Sequence, residues 1–250
     1  LRIRRKEGVY MKKMMVSVVA VISVLSIVRC SYSSPWDLIK NKLNIGSSPK
    51  LSDTKIGAGL KEALKVGIEN TIKLLGKNDG YLGNQAVKVL MPDSIRKFEP
   101  ALRAMGLGAK LDEFVLSMNR AAEKSAPLAA DIFATAITEM SFDDAQKIFQ
   151  GGNTAATDYF RNKTYDKLLG VFQPAARKAM DDYEVTRKFE EIMEKVSTMP
   201  FADKLGTPDV SRYVSAKALD GLFFVLGQQE NKIRTEPAAR VTDLLKDVFK

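Results

Sequence analysis

From Pro92 to the C-terminus, apolar residues recur three and four apart almost without a break. That spacing puts them on one face of helix after helix and leaves little room for a sheet. Ile95, Phe98, Leu102 and Met105 form the first stripe, which Pro100 should kink and Gly106 should stop. A longer stripe runs through Leu111, Phe114, Val115, Met118, Ala122, Ala129, Ile132, Phe133, Ala136, Ile137 and Met140, with a break or bend at Pro127. Ser141-Phe142-Asp143-Asp144 reads as a capping box opening a short helix to Gln150. Gly151-Gly152 ends that helix, and Asn153 or Thr154 caps the next, which carries Tyr159, Phe160, Leu168 and Leu169. Pro174 should start another helix to about Thr198, and Met199 to Pro208 reads as a connector. Asp209 to about Arg234 is helical, with Val210, Val214, Leu222, Val225, Leu226 and Ile233 inward. Pro237 should open the last helix, with Val241, Leu244, Leu245 and Val248 inward.

Upstream of Pro92 the pattern is more varied. Ser52 or Asp53 can cap a helix to Leu75 with Ile56, Leu60, Leu64, Ile68 and Leu75 on one face, joined by Ala63 and Thr71. Gly57, Gly59 and Gly67 each weaken it by up to about 1 kcal/mol relative to Ala, which fits close packing of another helix over small residues. Lys77-Asn78-Asp79-Gly80 is a turn. Val87, Val89 and Met91 alternate before Pro92, so residues 85–91 leave room for one short extended segment. The expected fold is all-α: a single bundle-like domain of many helices joined by short turns.

The first part of the chain reads as an address. Lys12-Lys13 precede an apolar run from Met14 to Val28, followed by Arg29, Cys30 and the small residues Ser31 to Ser34. This is the layout of a secretory signal peptide, too short to span a bilayer comfortably, with an uncleaved signal anchor as the other reading. Residues 1–10 read as an over-extended start before Met11, so the export signal is 1–33, chiefly 11–33. Cys30 stands where a lipidated cysteine would. Arg29, however, puts a bulky cation where such a signal needs a small residue, which argues against lipidation. Cleavage after Ser33 fits better, with Ser31 and Ser33 at the two small positions. Residues 34–51, rich in Ser, Asn, Pro and Gly, form a flexible linker, and 52–250 the helical domain. A periplasmic protein is expected, or a membrane-tethered one if Cys30 is lipidated or the leader is retained.

Charge has to be read with that leader in mind. The chain has 39 basic and 30 acidic residues, net +9. Seven of the bases and one acid lie in 1–30, leaving 32 against 29 from Ser31 onward. The basic balance belongs mostly to the leader, so nucleic acid is not an expected partner. There is no histidine, and Cys30 is the lone cysteine. That removes histidine-dependent nucleophiles, a histidine base near neutral pH, zinc sites of the usual kind and any internal disulfide.

Several strings point to a family. Asp79-Gly80-Tyr81, Met118-Asn119-Arg120-Ala121-Ala122-Glu123, the run from Gly151 to Phe160 and the run from Ala238 to Lys246 resemble, in order, a bacterial family known as domain of unknown function 4197. The resemblance covers about Leu51 to Lys250. It implies an exported, mostly helical protein of Gram-negative-type bacteria. It implies no reaction and carries no catalytic residues.

Candidate binding residues fall in two places. Asn119, Arg120 and Glu123 form a polar patch on a helix whose other face is apolar. It is either a solvated face with an i,i+3 pair, or a buried network reaching Asp131, Asp158 or Arg240. Gly151, Gly152, Thr154 and Thr157 before a helix N-terminus could present N–H groups to an anion, yet the same residues suit an ordinary helix end and cap. No lysine and no preceding strand are there to make a nucleotide loop. Asn78-Asp79-Gly80 lacks the alternating oxygens of a calcium loop. No metal and no cofactor are expected. The last helix is amphipathic, with Lys246 and Lys250 near its end; it should pack on the bundle, with peripheral membrane contact as the other reading.

Two functions follow as expectations. The first is an exported binding or scaffold protein, not an enzyme, that holds an apolar ligand or an envelope protein in a groove between helices. Arg120 and Glu123 would be its polar contacts. The second is a carboxylate-dependent envelope hydrolase acting on cell-wall glycan or similar, drawing on Glu123, Asp131, Glu139, Asp143 or Asp158.

Overall fold

The computed structural model describes residues 53–199 and 209–249; the leader, Cys30, the linker and most of the 199–208 connector lie outside the described residues. The described residues form α1 (Asp53–Leu75), α2 (Asp93–Arg96), α3 (Glu99–Ala104), α4 (Gly108–Ser125), α5 (Ala129–Glu139), α6 (Phe142–Gln150), α7 (Ala155–Asp182), α8 (Val185–Ser197), α9 (Val210–Thr235) and α10 (Asp243–Val248). No strand occurs among them, and the all-α reading holds.

The axis of the fold is α9. It is buried along most of its length, packs against α7, α1 and α4, and carries small residues, Ser215, Ala218, Gly221 and Gly227, at buried positions, while Arg212, Lys217, Phe224, Gln228, Asn231, Lys232 and Thr235 face solvent. Small buried residues let neighbouring helices approach it closely. Around it, Phe133 of α5 meets Phe160 of α7 edge to face at 5.6 Å and Phe223 of α9 at 5.9 Å. Such contacts add to the area the rings bury. On the far side α10 lies along α1, with Val248 over Gly59, so a side chain at Gly59 would have no room.

Most helix boundaries follow local chemistry. Ser141 and Asp144 close the expected capping box on α6. Asp209 accepts from the Arg212 N–H and opens α9. Pro127 sits in a 3-10 turn, Ala126–Leu128, between α4 and α5. Gly106, at φ 81°, ends α3.

Four expectations need correction. Pro100 does not kink a helix; it lies in the first turn of α3, where its missing N–H costs nothing. Pro174 does not start a helix but sits inside α7. Gly170, four residues earlier and exposed, gives the ring a carbonyl that can tilt away, and buried Phe172 and Ala176 hold the helix together on both sides of it. The break comes instead at Glu184, at φ 54°. Pro237 opens only a 3-10 turn, and α10 starts after Thr242, which accepts from the Leu245 N–H. Val241 is 65% exposed, outside the inward stripe expected for it.

The segment before Pro92 is not the extended one expected over 85–91: residues 85–87 form a turn, with the Val87 and Lys88 N–H groups bonded to Asn84 O at 3.1 and 2.9 Å, and 88–92 are irregular. Val87, Val89 and Met91 are buried while Leu90 points out, which is the alternation of a strand. Its partner is not another strand but a side chain of α4.

Candidate functional site

That side chain is Asn119. Fully buried, it takes the Val89 N–H on Oδ1 at 2.9 Å and donates from Nδ2 to the Val89 carbonyl at 2.8 Å and to Val115 O at 2.7 Å. One turn on, Glu123 performs the same office for the preceding loop. Its Oε1 accepts from the N–H groups of Tyr81 and Leu82 at 3.1 and 3.2 Å, and its Oε2 accepts from Arg120 at 2.7 Å. Arg120 reaches on to Asp79 at 2.8 Å. Asp79 has φ 63°, and a side chain at Gly80 would strike the Leu74 and Leu75 carbonyl oxygens at 2.6 and 2.5 Å. Asp79-Gly80-Tyr81 is therefore a tight turn with no room for a side chain at Gly80. Tyr81 leaves it pointing inward, wholly buried, and donates to Ala218 O on α9 at 2.7 Å. Burial, with the Glu123 charge adding to it, pushes the Tyr81 hydroxyl far above the ordinary tyrosine range.

The polar patch on α4 is thus a buried network, but it runs to residues 79–89. It does not reach Asp131, Asp158 or Arg240, the partners expected for it.

A second, similar arrangement sits at the other end of α9. Glu230, also buried, accepts from the Ala156 N–H at 2.9 Å, the Thr157 N–H at 2.8 Å and the Thr157 hydroxyl at 2.8 Å. Arg234, one turn later, pairs with Glu230 at 2.9 Å and donates to Ile148 O at 2.9 Å. A helix N-terminus favours an anion, and α7 finds one in its own chain. The Gly151-Gly152 loop serves the turn: Gly151, Gly152 and Thr154 are exposed, and Thr154 reaches only Asp158, at 3.3 Å. Arg240 closes this same, C-terminal end of α9, donating to Ile233 O at 3.1 Å and Arg234 O at 2.9 Å. Glu230 and Arg234 went unnoticed in the sequence. Their signal was there, since Glu230 falls on the inward stripe between Leu226 and Ile233.

These constellations spend the polar interior on the chain itself. Ser211 Oγ is the one buried side-chain polar atom without a partner among the described residues. Between α1, α7 and α9 lies an apolar cavity of about 20 Å³. That is close to room for one water and far below what ordinary ligands occupy. Where the surroundings move a carboxyl pKa, they move it down: Arg103 does this to Asp112, Ser141 to Asp144, Arg187 to Glu184 and Lys110 to Glu191. A general acid for glycoside cleavage needs the opposite direction. Among the described residues no group of three or more acids or cysteines is placed to hold a metal, and no helix is long and apolar enough to cross a membrane.

A family model described as "Protein of unknown function (DUF4197)" matches residues 50–250. The chain belongs to that family. All four strings singled out in the sequence fall inside the match, and three of them supply the two networks: the Asp79 turn, the Asn119 to Glu123 clamp and the α7 N-terminus that Glu230 caps. The fourth holds Arg240. No curated protein and no solved structure matches the chain.

The open surface is elsewhere. The clamps hold residues 86–91 against the bundle and present Leu90 and Lys88 outward, with Tyr213 donating to Leu90 O at 3.0 Å. Grooves of about 460 and 540 Å³ flank this segment, and Lys88, Leu90 and Arg96 line both. Leu90 and Phe224 are each 47% exposed, and Lys217, Arg103 and Leu116 stand along the same grooves.

Proposed function

We propose that this is an exported helical binding protein of the bacterial envelope, working by contact on the face built around Leu90. Its partner is a protein segment with apolar side chains. The observation that carries the reading is the Lys88–Leu90–Arg96 ridge with a groove on either side. Large apolar side chains left in water and rimmed by ion pairs, Arg96 with Asp93 and Arg103 with Asp112, are the composition of an interaction surface. The clamps from Asn119 and Glu123 support it further, because a surface fixed before binding loses less entropy on binding. Export rests on the leader, with its lysines and apolar run before Cys30.

The test is site-directed photocrosslinking from position 90 in cells expressing the chain with its own leader. A single discrete adduct in the envelope fraction is expected, and Phe224→Asp should remove it. A crosslinker at exposed Met105 serves as the control and should not give that adduct. An adduct that survives Phe224→Asp, or none at all, would sink the contact reading. Mass spectrometry of the recovered chain reports export separately: a chain beginning at Ser34 supports it, and an uncleaved leader in the cytosolic fraction opposes it.

A further inference from the structure

A third groove, of about 550 Å³, runs between α5 and α7 and is closed at one end by α6. It shares no residue with the Leu90 face. Its volume lies within the range of small-molecule sites. One wall belongs to α5: Asp131, Thr135 and Glu139, four apart and therefore in one row. The other belongs to α7: Tyr159, Lys163 and Lys167, again four apart. Ile132, Ala136 and Thr164 lie deeper, between them.

The rows are of opposite sign. Even so, none of Asp131, Glu139, Lys163 and Lys167 closes an ion pair or a side-chain hydrogen bond with any described residue. Lys163 lies over the Tyr159 ring, 5.9 Å from its centroid, and does not reach the acidic row; elsewhere some charges do pair across helices. Arg161, also on α7, reaches Asp220 at 2.8 Å, and Lys110 and Lys124 find Glu191 and Asp182 across helix boundaries at 2.6 and 3.2 Å. Asp144 is engaged by Ser141 and by the Tyr159 hydroxyl, so it adds negative charge beside the acidic wall without offering a free oxygen row. The groove thus holds an acidic wall and a basic wall apart, with an apolar floor between.

We infer that this groove binds a zwitterion long enough to bridge it: a short peptide with free ends, its ammonium on Asp131 and Glu139 and its carboxylate on Lys163 and Lys167. Neither contact alone is strong at an exposed site, so recognition depends on both ends being charged at once.

The experiment is an amide-resolved NMR titration of the protein with trialanine, compared with its N-acetylated, C-amidated and doubly blocked forms. Saturable shifts at Thr135, Lys163 and Thr164 are expected with free trialanine, and blocking either end should weaken binding at least about tenfold. Lys163→Glu/Lys167→Glu should abolish the shifts. Adding Asp131→Lys/Glu139→Lys to those changes should restore them, because the inverted groove takes the peptide end for end. Equal binding of the doubly blocked peptide, or no saturable shift in the millimolar range, would overturn the proposal. Should a charge-reversed variant fail to fold, the blocked peptides still decide the matter on the unaltered protein.

Discussion

Asn119 of α4 stands opposite Val89 and exchanges hydrogen bonds with both of its backbone groups, at 2.9 and 2.8 Å, as a neighbouring strand would. The irregular segment before Pro92 needs such a partner, because a buried N–H and C=O left unpaired are costly. A single amide side chain, with its acceptor and donor side by side, supplies what a ladder supplies elsewhere.

Asn119→Ala should therefore cost about 2–4 kcal/mol, since it strands two buried backbone groups of Val89. Asn119→Asp should cost more at neutral pH. It keeps an acceptor for the Val89 N–H but turns the donor into a second oxygen facing the Val89 and Val115 carbonyls. Acidification should recover part of that loss, because a protonated carboxyl donates again. Urea unfolding of the two variants at neutral and acid pH checks both statements.

Glu230 makes the complementary case at the α7 N-terminus. Glu230→Gln keeps the shape but sets an NH2 group against donors from Ala156, Thr157 or Arg234. A loss of about 1–3 kcal/mol is expected. Hydrogen exchange should quicken first at the amides of Ala156 and Thr157. Thr157→Val removes only the hydroxyl bond and should cost about 1 kcal/mol.

Tyr81 makes the fold sensitive to alkali. Its hydroxyl is raised in the folded state, by burial first and by Glu123 second. A group whose folded pKa lies above its unfolded value contributes stability that is present below the unfolded pKa and lost as pH rises through the folded one. The protein should therefore weaken from the ordinary tyrosine range upward. Tyr81→Phe should cost about 1 kcal/mol at neutral pH, for the bond to Ala218 O, and should flatten that alkaline limb. Thermal melts across the alkaline range read both effects.

What the sequence made legible was periodicity. Stripes such as Phe114-Met118-Ala122 and Val210-Val214-Leu222 were visible because burial on a helix repeats every three to four residues, and caps such as Ser141 and Asp209 because they act within their own turn. Pro174 misled because whether a proline ends a helix depends on packing on either side of it, which no local pattern carries. The candidate site was legible only in part for a similar reason. Asn119, Arg120 and Glu123 could be named as polar residues on an apolar helix, but their partners lie 30 to 42 residues away in sequence. The Glu230 to Thr157 contact spans 73. The Leu90 face and the α5–α7 groove are assembled from elements whose nearness only the fold decides.

Two glycines separate the effects of space and propensity. Both sit inside helices, where Ala is the better former by up to about 1 kcal/mol. At Gly221 of α9 a Cβ would lie 2.7 Å from Tyr81 Cε1 and 3.1 Å from Val87 Cβ. Tyr81 is pinned by its bond to Ala218 O and by the clamped turn it comes from, so the ring has nowhere to go. Gly221→Ala should destabilise by about 1–3 kcal/mol and disturb the segment that carries Leu90. At Gly67 of α1 the nearest atoms, Gln229 Cβ and Leu226 Cδ1, lie 3.8 Å away, an ordinary contact. Gly67→Ala should stabilise by about 0.4–1 kcal/mol. Equilibrium unfolding of the two variants should move in opposite directions. If both stabilise, Tyr81 is not held against α9 as firmly as its hydrogen bonds require.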